Sequence, residues 1–487
     1  MSPEPSFLAT RRGKQTLAFL CGVAFLDFVD ASIVNVALPS IKQSLHFSIQ
    51  SLQWVLSGYL LTYGGFMLLG GRAADLLGRR RVLVAGTVLF GVASLTAGLA
   101  GSEGTLIGAR LAQGVGAAMM IPAALSILTT SFSEGSDRNT AIGAWGATAG
   151  LASAWGVFLG GVLSQGPGWR WVFFVNLPVC ALDLVVVFRL VGGERRRARL
   201  AHFDALGALL ATSGMLLLIY AIIKAPDVGW GTTRTIGQLV GAGVLFAAFA
   251  VNESRQRNPL FPFSILRIKG LAAADVTQVI AMAGFYAMFF FVTLYMQTIL
   301  GFSRIQAGAA YIPTTIGVAI SSAVASKLFV RTGTRPIIVA GALLGAAGVF
   351  WLSHIPEQGS YVSHLLPGLL IMSAGLGAVF VGVTTAAQAG VPPDKAGLAA
   401  ALINTSTWLG GALGIAIFSA ISTSRVHHLL ASGATPHEAL TSGFQSALLA
   451  CSIAMVAAAA LALRATNTRG EPVTAPQLEV APLPDNA

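Results

Sequence analysis

Hydrophobic residues along the chain come in long, nearly unbroken runs separated by short polar segments. Fourteen such runs fall at about 16–38, 52–71, 82–100, 106–130, 140–163, 171–191, 204–223, 235–251, 271–299, 307–329, 336–354, 362–389, 396–421 and 443–464. Each is close to the length of about 20 apolar residues that a helix needs to cross a bilayer. The runs are apolar all round, which separates them from the one-sided pattern of a soluble surface helix. Alternating segments of about ten residues, the mark of a membrane β-barrel, are absent from the sequence. The pattern predicts an all-α polytopic membrane protein with fourteen spans.

The start of the chain has the look of an export signal, with Arg11, Arg12 and Lys14 ahead of the run Leu17–Leu26. That run continues through Asp27 and Asp30 to Leu38 with no small-residue cleavage site after it, so it reads as an uncleaved first span.

Charge fixes the expected orientation. With the N-terminus inside the cell, the cytoplasmic segments carry 22 Lys and Arg and the opposite segments only 6, namely Lys42, Arg170, Lys224, Arg234, Arg304 and Arg425. Basic residues favour the cytoplasmic side, so both termini are expected there, in a cell membrane. Trp54, Trp169, Trp171, Trp230 and Trp351 fall near the predicted outer ends, as an interfacial aromatic belt would.

Composition agrees. Hydrophobic residues make up 55% of the 487 and charged residues 10%, too oily for a water-facing surface. The net charge of +11 is accounted for by the cytoplasmic segments, so nucleic-acid binding is not expected. Cys21, Cys180 and Cys451 lie far apart in apolar runs and offer neither a disulfide framework nor a metal site.

A repeat divides the chain. Gly71-Arg-Ala-Ala-Asp75-Leu-Leu-Gly78-Arg79-Arg80-Arg81 joins runs 2 and 3, and Ser326-Lys-Leu-Phe-Val-Arg331-Thr-Gly333-Thr-Arg335-Pro336 joins runs 10 and 11. Runs 1–6 thus align with runs 9–14, and runs 7–8 are left as an inserted hairpin. The expected domains are a tail at 1–15, a six-helix bundle at 16–193, the hairpin at 204–251, a second six-helix bundle at 270–464 and a disordered tail at 465–487. Repeated halves enclosing a midplane site are a common transporter architecture.

Three features inside the runs carry chemistry. Asp27 and Asp30 sit near the middle of the first span, three residues apart and so on one helix face. A carboxylate at the midplane costs roughly 2.5–3.5 kcal/mol on insertion scales, so two in one span call for a reason. Burial and mutual repulsion favour the protonated form, which suits a site that exchanges a proton. Arg110, in span 4, must be paired or face water, and Asp30 or Asp27 is its most economical partner. Trp155 and Trp408 lie deep in their spans, where rings would serve a broad apolar cavity for flat lipophilic molecules or would simply fill a helix interface. Asn35, Tyr59, Tyr63, Gln113, Gln278, Tyr286 and Asn404 are further candidates for lining that cavity. Spans 10 and 13 contain no acidic residue, which favours monovalent or neutral substrates, although Asp183 and Asp275 weigh against that inference.

These motifs resemble those of the major facilitator superfamily, specifically its fourteen-span drug:proton antiporter branch. Gly71–Arg81 is similar to the signature loop between spans 2 and 3. Leu106-Ile-Gly-Ala-Arg110-Leu-Ala-Gln113-Gly114-Val-Gly116 is similar to the span-4 motif, and Asp30-Ala-Ser-Ile-Val-Asn35-Val-Ala-Leu-Pro39 to the span-1 motif of the branch. Trp169–Pro178 and Gln297–Ser303 fit it as well. The resemblance implies a major facilitator fold of two six-helix bundles plus an inserted two-helix hairpin. It implies a cytoplasmic latch at Gly71, Asp75, Gly78, Arg79 and Arg80, against which stands the plainer reading of a solvated loop. It also implies a proton-coupling relay of Asp30, Asp27 and Arg110 with Gln113, and a packing motif in span 5. There the branch has Gly-Pro-x-x-Gly-Gly and this chain has Gly156-Val157-Phe158-Leu159-Gly160-Gly161, so the proline's kink is missing.

The function implied is export of lipophilic or cationic drugs or antibiotics in exchange for protons, driven by the proton motive force, with no cofactor and no metal. A dedicated exporter or importer of one metabolite would share the fold. An enzyme is not expected: the chain has no ATP-binding loop, no His-Glu-x-x-His, no Gly-x-Ser-x-Gly and no second aspartate cluster for a diphosphate. The expected partners are a small lipophilic substrate, protons and membrane lipids, with the chain as a monomer and an accessory periplasmic or outer-membrane protein compatible with it.

Overall fold

The computed structural model describes residues 7–132, 136–192, 204–256, 259, 265, 267–268, 270–389, 391 and 396–469. The side chain of Asp75, the basic stretch 195–199, Lys269, Lys395 and the tail 470–487 lie outside the described residues.

Seventeen α-helices are described, of which three are short. The first half contains α1 (Arg11–Leu45), α2 (Ile49–Leu52), α3 (Trp54–Leu77), α4 (Arg79–Gly98), α5 (Glu103–Ser131), α6 (Ser136–Gln165), α7 (Trp171–Phe174) and α8 (Asn176–Leu190). The hairpin is α9 (Ala205–Val228) and α10 (Thr233–Arg255). The second half contains α11 (Leu271–Thr298), α12 (Arg304–Ala309), α13 (Ile312–Thr332), α14 (Thr334–Leu352), α15 (Leu366–Gln388), α16 (Ala396–Ala431) and α17 (Pro436–Ala462). The fourteen longer helices correspond to the fourteen hydrophobic runs. Several outgrow their runs: α1 has 35 residues, about 52 Å of helix. The apolar run marks only the hydrocarbon slab, about 30 Å thick, and the helix continues into the interface on either side.

The repeat is visible in the turns. A single residue, Gly78, separates α3 from α4, and Gly333 separates α13 from α14. Their φ angles are 99° and 87°, a region that a side chain disfavours and glycine enters freely. The repeat is equally visible in the packing, because α1 lies along α6 as α11 lies along α16. A Cβ at Gly156 or Gly160 would strike the backbone of Val29 or Ile33, and one at Gly410 or Gly414 would strike that of Val279 or Ala283. Small residues at these positions let the helix backbones touch, which is how helices associate where lipid removes the hydrophobic drive.

The hairpin packs through α9 onto α3 and α16, bridging the halves. Asp204 caps α9 through the Gly207 N–H at 2.9 Å and accepts from Asn252 at 2.9 and 3.1 Å. The halves themselves meet at mid-depth, where α3 lies against α16, and at the end of the bundle remote from both termini. At that end Asn35 donates to the Phe289 carbonyl at 3.4 Å, Gln297 to the Val36 carbonyl at 3.0 Å and Arg304 to the Ser164 carbonyl at 2.6 Å. Gly161 lets α6 close against the backbone of Arg304 and Ile305. The described conformation is therefore closed on the side opposite the termini.

Two expectations need correction. Trp54 and Trp169 are buried in the bundle, whereas Trp171, Trp230 and Trp351 are exposed as belt residues would be. Trp169 is covered by Arg170, whose guanidinium carbon lies 4.5 Å from its ring. The C-terminal segment is ordered further than its composition suggests. Arg335 donates from Nε to the Ala465 carbonyl and Thr334 N–H to the Thr468 carbonyl, so the chain after α17 clasps the α13–α14 turn.

The glycine seams yield a stability prediction. Gly156→Leu and Gly410→Leu are each expected to cost at least about 1–3 kcal/mol, the usual penalty of overpacking. Gly22→Leu, whose added Cβ would meet nothing within 4 Å, should be neutral. Thermal unfolding of the detergent-solubilised variants checks this, and equal midpoints for Gly156→Leu and Gly22→Leu would contradict it.

Candidate functional site

The centre of the first half is a fully buried ion pair. Asp30 projects from α1 and Arg110 from α5, with Nη1 to Oδ2 at 2.7 Å and neither side chain exposed. Arg110 also donates from Nε to the Val55 carbonyl at 2.9 Å and from Nη1 to Gln113 Oε1 at 2.9 Å. The second oxygen of Asp30 accepts from Asn176 Nδ2 at 2.7 Å and Gln113 Nε2 at 3.3 Å. Both amides also donate to Ser94 Oγ, at 3.3 and 2.8 Å. Five helices (α1, α3, α4, α5 and α8) thus contribute to the network around the Asp30–Arg110 pair.

Asp27 lies one turn away with different partners. Tyr59 donates to its Oδ1 at 2.8 Å and Tyr63 to its Oδ2 at 2.7 Å. The two aspartates therefore do not form a bare repelling pair. Tyr59 connects them: its hydroxyl holds Asp27, and its ring supports the Arg110 guanidinium at 4.2 Å from the centroid. A desolvated cation–π contact of this kind is worth up to about 2 kcal/mol or more. Tyr63 continues the line into the other half, stacking on Trp408 of α16 with centroids 4.3 Å apart, and Tyr286 of α11 lies 6.1 Å beyond.

The cavity candidates divide. Tyr63, Trp408 and Tyr286 form the aromatic group just described at the α3–α16 junction, with the half-buried Asn404 one turn along α16. Gln278 donates to Thr407 Oγ1 at 2.9 Å on the same helix. Tyr59 and Gln113 are corrections: both are fully buried with their polar groups committed to Asp27, Arg110, Asp30 and Ser94, so they belong to the ion-pair network. Asn35 belongs to the contact closing the bundle. Trp155 is the clearest correction. Gly156 and Gly160 face α1 and Gly161 faces α12, so at 100° per residue Trp155 falls on the far side of α6, where it is 51% exposed.

At the turn between α3 and α4, Arg79 donates to Thr130 Oγ1 at 2.6 Å. Arg80 donates to the Val191 carbonyl at 3.1 Å, with its guanidinium carbon 5.4 Å from the Phe188 ring centroid. These arginines bind the turn to neighbouring helices of their own half, and Gly71 lies beside Pro122. The carboxylate proposed to latch them, Asp75, has its side chain outside the described residues.

Ser94, Asn176, Ser406 and Thr407 are network members that motif reading does not single out as functional. Asn176 was accessible in principle, as the lone amide between Val175 and Leu177 in an apolar run, and such a residue needs a buried partner. A hydrogen bond to a charged group is worth about 1.5–3 kcal/mol. Asn176→Leu should therefore destabilise the protein by that order and slow transport, read from the unfolding midpoint and the efflux rate. Wild-type values for both would show Asn176 to be idle.

Comparisons with known proteins agree with this geometry. The sequence profile of the Major Facilitator Superfamily matches residues 20–415. A puromycin resistance protein of Streptomyces alboniger is 37% identical over 430 residues, covering 88% of this chain and 85% of the relative. A cephamycin export protein of Amycolatopsis lactamdurans is 35% identical over 455 residues, covering 93% and 92%. A solved bacterial homologue of the human lysosomal transporter Spinster, in an inward-facing and unoccupied conformation, shares the fold with a TM-score of 0.67 at 17% identity, over 93% of this chain and 97% of that one. Profile, relatives, repeated halves and helix order lead to one conclusion: the chain belongs to the major facilitator superfamily of membrane transporters.

Proposed function

We propose that this transporter exports lipophilic antibiotics or drugs, cationic ones among them, in exchange for protons, with both termini in the cytoplasm of a cell bounded by its membrane. The observation that carries the reading is the buried Asp30–Arg110 pair. A fully desolvated carboxylate is tolerable either ionised against its guanidinium or neutral and protonated, and the two states make different bonds. Taking up a proton cancels the ion pair and leaves Arg110 held only by Val55, Gln113 and the Tyr59 ring, so its position is no longer fixed by charge. Because Tyr59 also holds Asp27, and Asp27 holds Tyr63, the change is passed to the junction with α16.

The closed contacts of Asn35, Gln297 and Arg304 on the side away from the termini suit a state that takes substrate from the cytoplasm while Asp30 is ionised. Proton entry from the opposite side would then accompany drug release. One proton crossing 100 mV yields about 2.3 kcal/mol, and each pH unit adds about 1.4 kcal/mol. Together they sustain a concentration ratio of roughly several hundred-fold. The names of the relatives, which refer to antibiotic resistance and export, support the substrate class. They also favour a second reading, a dedicated exporter of one compound, since those relatives are named for single antibiotics.

Cells expressing the chain should expel lipophilic dyes and lose that activity when a protonophore is added or Asp30 is replaced by Asn. Efflux of many unrelated dyes favours the broad reading, and response to one compound favours the dedicated one. Efflux that persists with the protonophore present would contradict proton coupling.

A further inference from the structure

At the end of the bundle remote from the termini, one histidine holds a turn of the second half. The wide turn Tyr361–Leu365 leads into α15, and the Ser360 N–H ahead of it donates to His364 Nδ1 at 3.1 Å. A backbone N–H can only donate, so Nδ1 must be the bare nitrogen of a neutral imidazole. His364 thus reaches back to the start of its helix as the last residue of a capping box does. Gln306 and Glu438 do the same for α12 and α17, accepting from the Ser303 and Thr435 N–H at 2.9 Å each. Of these three side-chain types, histidine is the one that ordinarily changes charge between about pH 5 and 8. A proton on Nδ1 turns the acceptor into a donor facing another donor. Ser363 Oγ, 2.8 Å from the same nitrogen, then accepts from it, so the ring has a second bond to make.

This turn is joined to the contact that closes the bundle. Tyr361 donates its hydroxyl to the Ala310 carbonyl at 2.7 Å, and its ring centroid lies 6.3 Å from that of Phe302. Phe302 and Ala310 flank α12, the element that the second half presses against α6. There Arg304 donates to the Ser164 carbonyl and the Ile305 N–H to Gln165 Oε1 at 3.3 Å, and a Cβ at Gly308 would strike the Val157 carbonyl. Of the elements around His364, α14 brings His354 and the Trp351 indole, which donates to the His364 carbonyl at 3.1 Å. The α14–α15 connection brings Glu357, the α12–α13 joint brings Arg304 and Tyr311, and α15 has no titratable residue. No carboxylate lies in ion-pair range of His364 among the described residues. We infer that His364 is a proton receptor that controls this closure. Neutral, it holds the turn and, through Tyr361, keeps α12 on α6; protonated, it releases the turn and favours opening on that side. The inference rests on the export reading for which side is acid, and adds a gate that opens where protons are plentiful, before they reach Asp30.

The test follows hydrogen exchange of the full-length chain in lipid nanodiscs, read by mass spectrometry on peptides covering 302–311 and corrected for the intrinsic effect of pH on exchange. In the wild type, protection of this segment should fall about three- to tenfold from about pH 7.5 to about pH 5.5, the shift expected from one lost hydrogen bond. His364→Asn places an amide oxygen where Nδ1 stands and does not titrate, so the segment should stay protected at both pH values. His364→Phe keeps a ring but no acceptor and should exchange fast at both. His354→Asn, a control on the neighbouring imidazole, should keep the wild-type response. Equal protection at both pH values in the wild type would overturn the inference, as would a full response in His364→Asn or its loss in His354→Asn. Exchange is read without substrate, so the two readings fail separately. A missing pH response alongside protonophore-sensitive dye efflux overturns the gate and spares the export reading, whereas a response without efflux upholds the gate and overturns export.

Discussion

Burial of a carboxylate and a guanidinium together, away from water, is the constraint around which the first half is organised. An isolated charge there would cost many kcal/mol, and removing one partner of such a pair typically costs about 3–5 kcal/mol. The structure meets the cost by surrounding Asp30 with Arg110, Gln113 and Asn176, and by giving Arg110 a backbone carbonyl and the Tyr59 ring. Helices α1, α3, α4, α5 and α8 must hold their register for those bonds to form. A group whose charge holds five helices in place gives a proton considerable leverage over the packing.

That leverage needs a route to the other half and a joint that can change. In the exchange proposed above the route is the line from Arg110 through Tyr59, Asp27 and Tyr63 to Trp408, in which each step is a hydrogen bond or a ring contact. The joint is supplied by glycine. Gly156 and Gly160 on α6, and Gly410 and Gly414 on α16, bring backbones into direct contact without interlocking side chains, so each seam resists separation more than sliding. The two halves share this mechanical plan but not their chemistry: among the described residues, the buried carboxylate–guanidinium pair belongs to the first half.

Much of this was legible in the sequence. Hydrocarbon thickness imposes a run length that is hard to miss, so all fourteen helices could be placed, and the Gly78 and Gly333 turns revealed the repeat because only glycine enters that backbone region without strain. Asp30 and Arg110 were equally plain, since charge in an apolar run demands a partner. Which residues share a pocket was not legible. Trp155 and Trp408 look alike in sequence, each a deep tryptophan in a glycine-rich helix, yet the helical phase turns one outward and the other onto Tyr63. Gln113 and Tyr59 read as cavity residues because polarity alone does not say whether a group is already satisfied. Ser94 carries no signal of its own, and Asn176, though it lies within the Trp169–Pro178 motif, shows its role only once its neighbours across the bundle are known.

The central claim is that Asp30 carries the exchanged proton, and infrared difference spectroscopy reads it most directly. At a pH where the resting protein holds the proton, adding substrate should remove a protonated-carboxyl band from the wild type, and the same addition to Asp30→Asn should leave that region of the spectrum flat. An undiminished band loss in Asp30→Asn would place the proton elsewhere and contradict the account.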